Sequence, residues 1–191
     1  MNCLSTDESY RRSPERIVRS GNEHFIIALE RSGYPGVALY NPVAGFQPLL
    51  PPSPESDSGA RSLGTDGNAM VWTNGQTRTG EFKFATNEVF TAPYTISPTA
   101  LSQTRRRVTK ADGGGSSTPW SVGCGYAAQR WGKGLQIVRL SDGATWRPIP
   151  VGVKYSLSPG AITCEHIYGA LDGGGVARIR LDTLGEPSPA E

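Results

Sequence analysis

Long apolar runs are absent from this 191-residue chain. No stretch approaches the ~18 consecutive apolar residues a membrane-spanning helix requires, so no such span is expected. Net charge is also nearly absent: 19 Lys and Arg against 17 Asp and Glu leave +2, which excludes a global field for drawing in nucleic acid. Histidine is scarce, with His24 and His166 far apart, and the three cysteines, Cys3, Cys124 and Cys164, contain no Cys-x-x-Cys pair. A zinc-finger spacing is therefore missing, and the odd count leaves at least one thiol unpaired within a monomer. No segment longer than about eight residues carries an apolar period of 3.6; Ala100–Arg107 is the only place for a helical turn. The first twenty residues include Asp7, Glu8, Arg11 and Arg12 but no apolar core, so no signal peptide is read there. Taken literally, that start implies a cytoplasmic protein; a truncated start would fit an exported one.

What the chain does hold is 24 glycines and 15 prolines, a density that favours many short strands joined by turns. Three stretches repeat one design, a small turn leading into an aromatic-bearing strand and then a second apolar strand. Thr65-Asp66-Gly67 leads to Trp72 and then Glu88-Val89-Phe90-Thr91. Gly123-Cys124-Gly125 leads to Tyr126 and then Leu135–Leu140, and Thr163-Cys164-Glu165-His166 leads to Tyr168 and then Val176–Leu181. Recurrence at ~40–50 residues, built from strands alone, predicts an all-β propeller-like array of about four blades. The units run over about 21–60, 61–111, 119–151 and 160–185, after a polar, disordered lead-in at 1–20 and before a polar tail at 186–191. The first unit looks partial and the last a strand short. Either an N-terminal strand completes the last unit of a small ring, or the ring is incomplete; two ends that stop mid-blade favour the second. Open blade edges would then invite self-association.

Several residue groups are of types that carry chemistry. Cys124 and Cys164 stand two and four residues before their aromatics, which suggests adjacent inner strands. They could be two buried thiols packed as hydrophobes, a disulfide or metal ligands, the first being favoured. Arg105-Arg106-Arg107 with Lys110 reads as a solvated edge rather than a phosphate site. His166 beside Glu165 reads as a strand-end histidine facing solvent rather than an acid/base pair. Asp112-Gly113-Gly114-Gly115 and Asp172-Gly173-Gly174-Gly175 lack the Gly-Lys-Ser/Thr continuation of a phosphate loop and read as turns. Asp57, Asp66 and Asp112 are not spaced as a calcium loop. Trp72, Trp120, Tyr126, Trp131, Trp146 and Tyr168 read as packing between blades rather than a sugar-stacking platform.

Ser141-Asp142-Gly143-Ala144-Thr145-Trp146 resembles the Asp box of sialidase-type propellers, with two spacer residues missing, so a plain Asp-Gly hairpin is the favoured reading. The Asp66-Gly67…Trp72…Glu88-Val89-Phe90-Thr91 spacing and Leu140-Ser141-Asp142-Gly143 resemble blades of bacterial propellers of the TolB and YWTD-like groups. That resemblance implies a non-catalytic binding or scaffolding module recognising a protein or glycan through rim loops. The sialidase resemblance would imply an arginine cluster, a Tyr/Glu pair and an acidic acid/base, but nothing singles out three arginines. The alternatives are a partial or degenerate glycoside hydrolase and a non-functional fragment of a longer propeller. There is no Gly-x-Ser-x-Gly nucleophile turn. No catalytic, cofactor-binding or metal-binding residue is assigned.

Overall fold

A computed structural model of the chain describes residues 16–20, 24–29, 36–41, 45–50, 60–74, 87–111, 120–149 and 156–188. The described elements are strands with one short helix and one 3-10 turn, as the all-β reading expected. They form four antiparallel sheets, each following chain order. Sheet 1 is β1 (Arg16–Ser20), β2 (His24–Leu29), β3 (Gly36–Asn41) and β4 (Gly45–Leu50). Sheet 2 is β5 (Ala60–Thr65), β6 (Ala69–Asn74), β7 (Asn87–Pro93) and β8 (Arg106–Ala111). Sheet 3 is β9 (Ser121–Gly123), β10 (Tyr126–Trp131), β11 (Gly134–Arg139) and β12 (Thr145–Trp146). Sheet 4 has three strands, β13 (Leu157–Ile162), β14 (His166–Leu171) and β15 (Val176–Arg180).

Two expectations change at the N-terminal side. The lead-in is not wholly irregular, because the β-branched pair Ile17-Val18 lies in a strand paired with β2, Ile17 opposite Ile27. Sheet 1 is thus a full four-stranded unit rather than a partial one, and β1 is engaged in sheet 1 rather than completing sheet 4. The third strand of sheet 2 contains Glu88-Val89-Phe90-Thr91, as its spacing from Trp72 suggested. Residues 1–15, with Cys3, lie outside the described residues, as do Asp57 and the Asp112–Gly115 turn.

The one helix among the described residues, α1 (Pro98–Thr104), starts two residues before the stretch that sequence periodicity allowed. Ser97 is its N-cap and Pro98 follows at the first helical position, where a missing N–H costs nothing. Arg106 and Arg107 are already strand. Leu101 is fully buried and anchors the helix against sheets 1 and 2.

Alternation in the strands splits the core into three layers. On β6, Met70 and Trp72 point one way, joining Leu49, Leu63, Ala92 and Leu101 between sheets 1 and 2. Val71 points the other way and packs with Val89, Trp120, Ala127 and Val138 between sheets 2 and 3. Ala128, Leu135, Ile137 and Trp146 then meet Leu157 and Ile167 of sheet 4. Sheets 2 and 3 are therefore covered on both faces, which is why a central stretch such as Ala69–Trp72 of β6 reads as a continuous apolar run. Each fully buried large aliphatic side chain contributes about 1.5–3 kcal/mol.

The first strands of sheets 2, 3 and 4 approach one another through glycine. A Cβ on Gly64 of β5 would collide with the Trp120 carbonyl at the start of β9, and one on Gly123 with the Ile162 carbonyl at the end of β13. Trp120 is locked there by its N–H on the Ser62 carbonyl (3.2 Å) and its indole N–H on Thr73 Oγ1 (2.9 Å). One buried pair is polar: Gln129 and Gln136 face each other across β10 and β11, and Gln129 Nε2 donates to Gln136 Oε1 at 2.9 Å. The Gln136 amide nitrogen has no acceptor of its own.

Candidate functional site

The turns that open the second strand of sheets 2 and 4 share one chemistry, a side-chain oxygen that accepts turn N–H groups. At β5–β6, Asp66 Oδ1 accepts the N–H groups of Asn68 (2.8 Å) and Ala69 (2.9 Å). At β13–β14, Thr163 Oγ1 accepts those of His166 (3.0 Å) and Glu165 (3.4 Å). Between them, the β9–β10 connection is the two-residue turn Cys124-Gly125, both with positive φ (50° and 77°), the backbone of a type I′ hairpin.

Because β9 and β13 lie together, the tips of their hairpins meet, and Cys124 is joined to Cys164 by a disulfide with Cα atoms 5.1 Å apart. The buried-thiol reading is thereby corrected. Both cysteines sit on exposed turns rather than on inner strands, and the glycine-mediated contact of β9 with β13 brings them within bonding reach.

The Asp142 hairpin is spent on its own geometry. Asp142 accepts two-pronged hydrogen bonds from Arg139 (2.9 and 2.6 Å) and one from the Ala144 N–H (3.1 Å). The Arg139 bond, then the Ala144 N–H, hold its carboxyl down from 3.8 to about 2. The same bond raises Arg139. Arg139 lies over the Trp146 ring at 5.4 Å, and Tyr126 flanks that ring at 6.4 Å. Trp146 is buried in the third core layer, with its indole N–H on the Gly185 carbonyl at 3.0 Å. This matches the role of a plain Asp-Gly hairpin.

Two arginines of the basic run are likewise committed. Arg106 donates to the carbonyls of Leu140 and Ser141, tying β8 to the β11–β12 turn, and Arg107 pairs with Glu88 at 2.8 Å. Asp172-Gly173-Gly174-Gly175 is the β14–β15 hairpin, closed by Leu171 N–H on Gly175 C=O (3.1 Å), with Asp172 paired to Arg130 at 3.1 Å. Among the described residues, no group of three or more His, Cys, Asp or Glu could hold a metal ion. None of the described helices is long and apolar enough to cross a membrane.

Of the six aromatics, Trp72, Trp120 and Trp146 are core, and Tyr126 packs onto the third layer. Trp131 is half-buried, with the Arg147 guanidinium 5.3 Å from its ring. Tyr168 is different. Ile167 points into the third layer, so Tyr168 and its alternates His166 and Ala170 point to the opposite face of sheet 4. Their cross-strand partners on β15 are Arg178, Arg180 and Val176. This face is open: Val176 is 75% exposed, and Ala170, Arg178 and Arg180 are exposed. His166 is not the solvent-facing residue expected. Its side chain is only 15% exposed, tilted against Tyr168 at 5.8 Å, with Glu165 Oε2 3.7 Å from Nδ1, beyond hydrogen-bonding range.

The structure therefore gathers an aromatic pair, two arginines and an exposed valine beside a disulfide-stapled rim. On β15, Ala177 and Ile179 alternate with Arg178 and Arg180, and no described sheet covers the arginine face. Neither a comparison with models of known protein families nor one with curated proteins returns a match.

Proposed function

We propose that the four sheets are consecutive blades of a propeller-like array, and that the protein is a non-catalytic module recognising a protein or glycan. Recognition uses the rim turns at the disulfide end together with the adjoining open face of sheet 4. The observation carrying this reading is that face: Tyr168 tilted against His166, flanked by Arg178 and Arg180. Tyrosine and arginine supply much of the energy of binding surfaces, because each offers broad contact area and a polar handle. The three shared core layers and the Cys124–Cys164 staple keep the surface rigid, which lowers the ordering cost of binding. The resemblance to TolB and YWTD-like blades points the same way. The hydrolase alternative needs free arginines for a carboxylate, whereas Arg106, Arg107 and Arg139 are tied to Leu140, Glu88 and Asp142. A disulfide between exposed turns also favours an oxidising compartment, and with it the exported alternative.

The test is a glycan array and a protein-ligand panel probed with wild type and Tyr168→Ala, run beside a fluorogenic sialidase assay. A ligand whose binding falls about tenfold or more with Tyr168→Ala supports the reading. Turnover of the fluorogenic glycoside refutes it in favour of the hydrolase.

A further inference from the structure

Among the described residues, sheet 4 has three strands where the other sheets have four, which leaves β15 at its edge. The register shows which backbone groups that edge presents. Leu171 N–H donates to Gly175 C=O and Leu181 N–H to Glu165 C=O, so Ala177 and Ile179 turn their amides and carbonyls toward β14. The N–H and C=O groups of Val176 and Arg178, and the N–H of Arg180, point outward. The Arg180 carbonyl takes the Thr183 hydroxyl at 3.0 Å. The same three residues carry the side chains of the open face. The chain's own ends, where described, go elsewhere. The tail crosses to sheet 3, with Ser188 N–H on the Thr145 carbonyl at 2.7 Å, and β1 is paired with β2.

We infer that β15 accepts an extended acidic segment of a partner protein as the fourth strand of sheet 4. An antiparallel newcomer matches every pairing within the described sheets and would set its alternate residues opposite Arg180, Arg178 and Val176. Read from its N-terminus, the best occupant is acidic-x-acidic-x-apolar. Arg178 is the main charge contact, because Arg180 already pairs with Asp182, whose carboxylate the newcomer must displace, and Glu165 adds negative charge at that end. Backbone pairing supplies affinity and the alternate side chains supply selectivity. A second copy pairing through its own β15 is disfavoured, since the fully overlapped antiparallel register would set Arg178 opposite Arg178. The inference rests on the recognition reading and shares Arg178 with the open face, but its backbone contact is the β15 edge rather than Tyr168.

The probe is a labelled peptide, Thr-Glu-Thr-Glu-Thr-Val-Thr, with its Glu-to-Lys counterpart, measured by fluorescence anisotropy against the whole oxidised chain. The Glu peptide should bind at least about tenfold tighter, and Arg178→Glu should reverse the preference. Arg178→Pro removes an outward N–H that β14 does not use, so it should keep the wild-type melt yet weaken binding about tenfold. Should that variant fail to fold, a peptide N-methylated at alternate edge-facing amides makes the same test on the wild-type protein, and only the methylation series that blocks pairing should abolish binding. Equal binding of both peptides, or undiminished binding after either backbone block, overturns the inference. So does a stable dimer, or an edge held by the chain's own N-terminal residues, that the Glu peptide does not displace. Loss of the peptide result with a Tyr168-dependent ligand intact leaves the broader recognition reading standing.

Discussion

Removing the Cys124–Cys164 bridge tests how the third and fourth sheets are held together. The double substitution Cys124→Ser, Cys164→Ser replaces two exposed turn residues by isosteres, so no buried cavity opens and no core contact is lost. What changes is the unfolded chain, released from a cross-link between positions 40 residues apart. In the chain-entropy treatment that separation corresponds to ~13 cal/mol/K, or about 4 kcal/mol at 25 °C. The turns keep their other ties, Leu140 N–H on Gly125 C=O (2.7 Å) and Thr163 N–H on His166 C=O (2.8 Å), so the native hairpins persist. The assay is urea unfolding followed by tryptophan fluorescence, since Trp120 and Trp146 report on the second and third core layers. With a slope of about 2 kcal/mol/M, the midpoint should fall by about 2 M, and dithiothreitol should move the wild type, but not the variant, by the same amount. A midpoint change below about 0.5 M, or free thiols at both positions by mass spectrometry, refutes the reasoning.

Other perturbations address single contacts. Gly64→Ala should destabilise by about 3 kcal/mol in the same urea assay, because its Cβ would meet Trp120 backbone rather than a side chain that can swing away. Gln129→Leu alone should cost about 1–3 kcal/mol by leaving the buried Gln136 amide without its partner, while Gln129→Leu with Gln136→Leu should recover most of that loss in a double-mutant cycle. Asp142 titrates at about 2 in the folded chain against an ordinary 3.8. Its depressed value means that its stabilising effect is complete above pH 4 and is lost as the pH falls toward 2. Asp142→Asn should therefore flatten that part of the pH–stability profile, measured by thermal melting between pH 5 and 2.

The sequence by itself determined the strands and their turns. Sheet 3 was legible almost to the residue, because apolar strands such as Tyr126–Trp131 are bounded by Gly123-Cys124-Gly125 and Gly132-Lys133-Gly134, and such turns depend on local backbone preference. The alternation of Ala177 and Ile179 against Arg178 and Arg180 was legible for the same local reason. Helix α1 was legible only as a possible turn set two residues late, because its start signal is the Ser97-Pro98 cap rather than an apolar period, and β1 was missed because five polar-flanked residues carry only Ile17-Val18 as a strand signal. What only the tertiary structure decided is everything that depends on one sheet meeting another. Whether Cys124 and Cys164 pair is set by β9 lying on β13 through Gly123, a contact between positions far apart in the chain. The arginines of 105–107 and the Asp142 carboxylate look alike on paper to a binding site, yet most find partners across a turn or a sheet boundary. The reverse holds for sheet 4. Its Tyr168 and Arg178 read as one more packed strand pair, and they become a surface because no described sheet follows to cover them. Alternation fixes which residues share a face, but burial of that face is a property of its neighbour.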